Sequence, residues 1–171
     1  MTSPLPAVRR LVTGHTEAGV PIFQTEDTLL PKPADGWPGV NSETPWNTHA
    51  TPTNDNNEST DGNSKTPNGD FGLVMKDGTS LRYTDLAPGA SIAMHRTSSL
   101  DYNILVSGKL LVTLDGGVQR LLETPGDLVI QRGTIHSWNN PGPDWTRWAT
   151  VVVDAKPVVV GGKTLEAEMR M

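Results

Sequence analysis

Two short segments hold the residue types that can move a proton or bind a metal. The first runs from Gly89 through His95, Thr97, Asp101 and Asn103 to Gly108. The second runs from Gly126 through Arg132, Gly133, His136 and Trp138 to Asn140. If each segment is extended, side chains two positions apart share a face. His95 then points with Thr97, Asp101 with Asn103, and His136 with Trp138 and Asn140. Facing one interior, two imidazoles and a carboxylate suit two kinds of chemistry. Converging imidazole and carboxylate groups can bind a divalent metal. Without a metal, the same three groups in a dry interior serve as an acid/base set, because burial tunes their pKa values. The chain has no cysteine, so thiol chemistry and disulfides are excluded and any metal rests on imidazole and carboxylate.

The neighbours of these groups have two readings each. Trp138 offers a planar substrate an aromatic wall, or is an ordinary core residue. An inward Asn103 amide hydrogen-bonds something specific, and Thr97 sits beside His95 on the same face. Arg132, in the turn before Gly133, is suited to a substrate carboxylate or to a surface contact. Tyr102 faces outward by alternation. His15 and His49 fall in a turn and a polar stretch and read as surface histidines.

Holding these residues requires short strands. Leu73–Met75, Ser80–Tyr83, Ser91–His95, Tyr102–Val106, Lys109–Leu114, Gln119–Leu122, Asp127–Ile130, His136–Trp138 and Ala149–Val153 are strand candidates bounded by Gly, Pro, Asp or Asn. Asp115-Gly116-Gly117 supplies a tight hairpin turn. Seventeen Gly, fourteen Pro and no helical periodicity predict an all-β domain. Arg9–Val12 and Val20–Phe23 predict an N-terminal hairpin. Pro31 to Gly69 is too polar to build core and reads as an extended arm with a mobile tip from Thr53, in which Trp37 and Trp46 either pin the arm or edge a site. Residues 1–70 are therefore hairpin and arm, and 71–171 the barrel; the tail from Gly161 reads as an edge strand or a short helical end. Trp145 and Trp148 are expected at one end of the barrel.

Fourteen Lys and Arg against nineteen Asp and Glu give a charge of −5, with no basic stripe, so nucleic acid is not an expected partner. No apolar run is long enough to span a bilayer, and the first residues lack the apolar core of a signal peptide. A cytoplasmic protein free of membrane is the expectation.

The two segments resemble the paired motifs of the cupin superfamily. Gly89, His95, Asp101 and Gly108 match the first motif, with Thr97 at the place of its second His and Asp101 at the place of its Glu. Gly126, Gly133, His136 and Asn140 match the second, without its Pro. The variant His-Arg-Thr-x-Ser-x-Asp-Tyr is similar to a branch of small stand-alone cupins of bacteria and fungi, some of them among polyketide-tailoring genes. The N-terminal Arg-Arg-Leu-Val-Thr-Gly-His and the segment at Pro45 also resemble that branch. The resemblance implies a single double-stranded β-helix (jelly-roll) barrel and a homodimer. It also implies a small-molecule enzyme of lyase or isomerase type, a dehydratase, a decarboxylase or a catalyst of a proton shift beside a carbonyl, on a polyketide or aromatic substrate. The alternatives are a metal-dependent dioxygenase and a non-catalytic binder of a small metabolite. Of the ligand set that the resemblance implies, His95, Asp101 and His136 remain, an acceptable face for Fe(II), Mn(II), Ni(II) or Zn(II) with open positions for substrate; the alternative is a site with no metal.

Overall fold

The computed structural model describes residues 1–170. Among them the chain forms fifteen strands: β1 Val8–His15, β2 Pro21–Leu29, β3 Lys32–Pro33, β4 Val40–Thr48, β5 Thr79–Leu86, β6 Ser91–Arg96, β7 Ser99–Ser107, β8 Leu110–Leu114, β9 Gln119–Leu122, β10 Leu128–Arg132, β11 His136–Asn139, β12 Thr146–Asp154, β13 Val158–Val160, β14 Lys163–Leu165 and β15 Glu168–Met169. Three single 3₁₀ turns lie between β4 and β5, and no helix of the described residues is long and apolar enough to cross a membrane.

Eleven of the strands build two large sheets, and β1-β2 and β13-β14 form two-stranded ribbons. One large sheet is six-stranded in the order β10-β7-β12-β5-β4-β3, and the other five-stranded in the order β15-β6-β11-β8-β9. Their alternating inward residues meet in a core of Val40, Leu86, Leu105, Leu110, Val112 and Leu122, closed by Trp138 and Trp148. β7 shows why the pattern works: Asp101, Asn103 and Leu105 are buried while Tyr102, Ile104 and Val106 are exposed, the period-two signature of one buried face. The architecture is the all-β double-stranded β-helix that the resemblance implies, with β1 and β2 as a separate two-stranded ribbon.

Three expectations need correction. Residues 40–48 are no arm: β4 pairs with β5 along most of its length, with a register break between Glu43 and Trp46 that accommodates Pro45. Its polar side chains misled because Asn41 and Asn47 are buried, the latter donating to the Lys65 carbonyl. The expected mobile tip is tied down as well. Lys65, 8% exposed, pairs with Asp55 at 2.7 Å, and Asp55 also accepts from Trp46 Nε1 at 2.8 Å and Thr48 Oγ1 at 2.9 Å. These donors hold the Asp55 carboxyl down at about 2 against the cost of burial. Arg10 joins this layer to the ribbon through Asp27 and Asp61. Leu73–Met75 is no strand either; Val74 and Met75 are buried in the turn before β5. The tail is strand, with β15 pairing to β6.

One motif glycine has a clear geometric cause. Gly108, between β7 and β8, has φ of +79°, and a Cβ there would lie 2.7 Å from Thr146 Cα and 2.8 Å from the Trp145 carbonyl. Gly108→Ala is therefore expected to cost about 1–3 kcal/mol, read as a lower denaturant midpoint at unchanged slope. An unchanged midpoint would show that the turn relaxes freely.

Candidate active site

The two sheets leave a cavity of about 180 Å³ between them. From the six-stranded sheet, β7 contributes Asp101 and Asn103, whose neighbours across the ladder are Val152 and Thr150 of β12. Thr150 in turn stands opposite Arg82 of β5. From the five-stranded sheet, β6 and β11 place His95 and His136 directly opposite each other in register. Their ring centroids are 4.3 Å apart with planes tilted by 49°. Trp138 meets His136 edge-on at 5.4 Å and Trp148 at 5.8 Å, so the histidines sit against an aromatic wall.

Hydrogen bonding fixes the tautomers. His95 Nδ1 lies 2.8 Å from the Ala93 carbonyl and His136 Nδ1 lies 3.0 Å from the Thr134 carbonyl. A carbonyl oxygen only accepts, so each Nδ1 carries the proton and each Nε2 keeps its lone pair. Burial lowers the pKa of both rings. His136 falls to about 4, first by desolvation and then by the neighbouring His95 charge, while His95 is lowered by desolvation alone. The pair thus resists a second proton.

Asp101 is displaced the other way. Burial raises its carboxyl to about 6, and its Oδ1 has no hydrogen-bond partner. Such an orphaned oxygen in a buried carboxyl is costly unless a ligand meets it. Thr97 Oγ1 is engaged with Ser99 Oγ at 2.7 Å, and Asn103 Oδ1 accepts from Thr150 Oγ1 at 2.8 Å.

Of the residues singled out in the sequence, His95, Thr97, Asp101, Asn103, His136 and Trp138 all line this cavity. Arg132 does not. Gln131 is the inward residue there, 3% exposed, and alternation turns Arg132 out to solvent. Asn140 is buried at a turn, where it donates to the Leu86 and Asp144 carbonyls. Trp37 and Trp148 also reach the cavity. Sequence reasoning missed Arg82, although its spacing to Thr84 and to the core residue Leu86 carried the signal.

The cupin fold implies a metal, but the side chains do not gather around one point. Among the described residues no three His, Cys, Asp or Glu side chains group closely enough to hold an ion. Asp101 stands on the sheet facing the imidazole pair, and Thr97 brings no ligand nitrogen. The set His95, Asp101 and His136, expected as ligands, is therefore arranged as a histidine pair with a carboxyl across the cavity.

No family model matches the chain. Oryzines biosynthesis cluster protein J of Aspergillus oryzae is 32% identical over 170 residues, covering 94% of this chain and 90% of that one. The cupin-domain-containing oxidoreductase fogC of Aspergillus ruber is 34% identical over 167 residues, 95% of this chain and 80% of that one. Two phomopsin biosynthesis cluster proteins of Diaporthe leptostromiformis match at 40% over 95 residues, and the chain spans only half of their length. Among solved structures, the polyketide cyclase RemF from Streptomyces resistomycificus shares 16% identity at a TM-score of 0.47, over 72% of this chain and 70% of that one.

Proposed function

The chain belongs to the cupin-domain family that includes these fungal biosynthesis-cluster proteins, and from that premise we propose that it tailors a small secondary metabolite by acid–base chemistry beside a carbonyl. The observation that carries this reading is the pairing of opposites in one cavity. Two imidazoles are held neutral with Nε2 free, and across from them stands a carboxyl whose pKa is raised to about 6. A base and an acid pushed toward each other's range are suited to passing protons near neutrality.

The steps follow from the roles. His95 Nε2 takes the proton from the carbon next to the substrate carbonyl, and the electron pair of that C–H bond forms a new C=C bond. In a dehydration the C–O bond to the β-hydroxyl breaks, and the departing oxygen takes the Asp101 proton and leaves as water. The proton on His95 then returns through solvent to Asp101. In an isomerisation His95 delivers its proton to a different carbon instead. His136, whose pKa burial and the neighbouring ring lower to about 4, stays neutral and accepts a hydrogen bond from substrate. Trp138 and Trp148 flank the ring of an aromatic substrate; an apolar cavity of about 150 Å³ already takes a benzene-sized guest.

The acetone aldol of benzaldehyde tests this. Its dehydration gives a conjugated enone followed by absorbance, and exchange of its protons beside the carbonyl is followed by NMR in D₂O. The protein is expected to accelerate both, and His95→Gln to reduce both about tenfold or more. Unchanged rates in that variant would overturn the assignment. Oxygen uptake with oxidised product would support instead the redox reading suggested by the name of the Aspergillus ruber relative.

A further inference from the structure

Arg82 is a cation without an anion. It lines the same cavity as the histidine pair, on the inward face that β5 shares with Thr84 and the core residue Leu86. Among the described residues its only hydrogen-bond partner is a neutral hydroxyl, with Nη2 donating to Ser42 Oγ at 2.8 Å. Its cross-strand neighbours offer no charge either: Thr150 lies opposite on β12 and Tyr83's partner Glu43 belongs to the other face of β4. The Glu43 carboxylate accepts from the Thr44 N–H at 3.1 Å and from Asn63 Nδ2 at 3.3 Å instead. Partial burial in the cavity wall pulls the guanidinium pKa down, with Glu43 only partly opposing, so the fold holds this charge at a cost and, among the described residues, gives it no ion-pair partner. An uncompensated buried charge is destabilising, and a ligand that supplies the missing charge relieves that cost.

We infer that Arg82 anchors a carboxylate of the substrate, so that the cavity accepts a small aromatic or polyketide-type acid with its acidic end at β4 and β5 and its reactive carbon at the histidines. The inference rests on the proposed use of this cavity as the substrate site. The chemistry selects the ligand class. Ser42 occupies one N–H of the guanidinium, and the rest of the planar fork matches the two oxygens of a carboxylate. Among the described residues Arg82 is the only Lys or Arg in the cavity wall, which suits a monoanion rather than a phosphate dianion. A cavity of about 180 Å³ admits one substituted ring.

Phenylacetate and its neutral isostere phenylacetamide separate the possibilities. Binding is read from the fluorescence of Trp37, Trp138 and Trp148, which line the cavity, with ligand-observed NMR as a second readout. The native protein is expected to bind phenylacetate about tenfold or more tightly than phenylacetamide. Arg82→Gln should abolish that preference, with phenylacetate affinity falling about tenfold or more further than phenylacetamide affinity. Arg82→Lys should retain only part of it, because the ammonium keeps the charge but loses the fork. If Arg82 were merely structural, Arg82→Gln would lower the melting temperature; the anchor role predicts a melting temperature equal or higher.

The outcomes are distinct from those of the acid–base reading. Equal affinities for the two probes, or a preference that survives Arg82→Gln, overturn the carboxylate anchor and leave the proton chemistry standing. A preference that depends on Arg82, in a protein that accelerates neither exchange nor dehydration of the aldol, supports the anchor and overturns the proton chemistry. Failure of both probes to bind overturns the anchor.

Discussion

Arg147→Met, with Asp85 left in place, is expected to destabilise the fold by about 3–5 kcal/mol. Asp85 on β5 is completely buried and Arg147 on β12 is 6% exposed. They face each other in register and close a bidentate pair, Nε to Oδ1 at 2.5 Å and Nη2 to Oδ2 at 2.7 Å. The remaining Nη1 donates to the Pro6 carbonyl at 2.6 Å. Asn41 of β4 lies beside Asp85 in the same cross-strand row, with its side chain against the backbone of Met1 and Ser3. The ion pair is therefore also the clamp that seats the N-terminal segment on the outer face of the six-stranded sheet. Removing the guanidinium strands a carboxylate in a dry site and frees that segment together. For a domain of this size the loss corresponds to a fall in melting temperature of roughly 6–20 °C. The double replacement Asp85→Leu with Arg147→Met should recover much of it, because neither charge then has to be desolvated. A single variant that melts like the native protein would show that the pair contributes little and that the segment is held by other contacts.

The same strand explains what could and could not be read in advance. β5 carries Arg82 and Thr84 inward and Asp85 outward, and neither charge points to open solvent: Arg82 is half-buried in the cavity wall and Asp85 is fully buried under the N-terminal segment. A rule that sends charge to solvent fails twice on this strand, because tertiary partners outweigh the one-residue preference. β7 is the opposite case. Its apolar and polar residues alternate without a break, so Asp101 and Asn103 were legible as inward neighbours and Tyr102 as an outward one. The histidines were legible through their glycine-bounded segments, since Gly108 and Gly133 mark backbone turns that few other residues adopt. β4 was illegible for a physical reason: Asn41, Ser42 and Asn47 fill it with polar groups that bond to other parts of the fold, although Asn47 does so through its Nδ2 alone. The folded tip at residues 53–69 was hidden similarly, since the Asp55–Lys65 pair that fixes it is a long-range fact. Arg132 was misplaced by one residue of alternation, with Gln131 taking the inward position and bonding Thr134.

Asp101→Asn is expected to separate stability from activity. In the native protein the Asp101 carboxyl titrates at about 6 rather than at its model-compound value of 3.8, so at neutral pH the folded state carries a penalty of about 3 kcal/mol for ionising it. The sign follows from proton counting. Between the two pKa values the folded state holds a proton that the unfolded state has lost, so this group makes stability fall as pH rises from about 4 to 6. His136 acts oppositely over nearly the same window. Its folded pKa lies at about 4 against 6.5, so the unfolded state binds the extra proton and stability falls as pH drops from 6.5 toward 4. His95, also lowered, adds to that limb. The Asp101 effect offsets part of the histidine effect in the native protein, whose unfolding free energy should therefore change less from pH 4 to 6 than that of a protein without this carboxyl. Asp101→Asn removes one side of the balance. It should gain about 1–3 kcal/mol at pH 7 and then lose about 3 kcal/mol or more between pH 6.5 and 4 as the histidines demand protons. Urea unfolding across that range reads both changes. The carboxylates with lowered pKa values, Asp55 among them, begin to lose their contribution only toward the lower end of this window, where their unfolded forms take up protons, and they do so equally in both proteins. The same substitution removes the proposed proton donor, so dehydration of the aldol should fall about 10²–10⁴-fold, while exchange of the protons beside the carbonyl, which needs only His95, should persist. A variant that is more stable, still exchanges protons and no longer eliminates water identifies Asp101 as the acid. One that loses both reactions equally, or neither, assigns it another role.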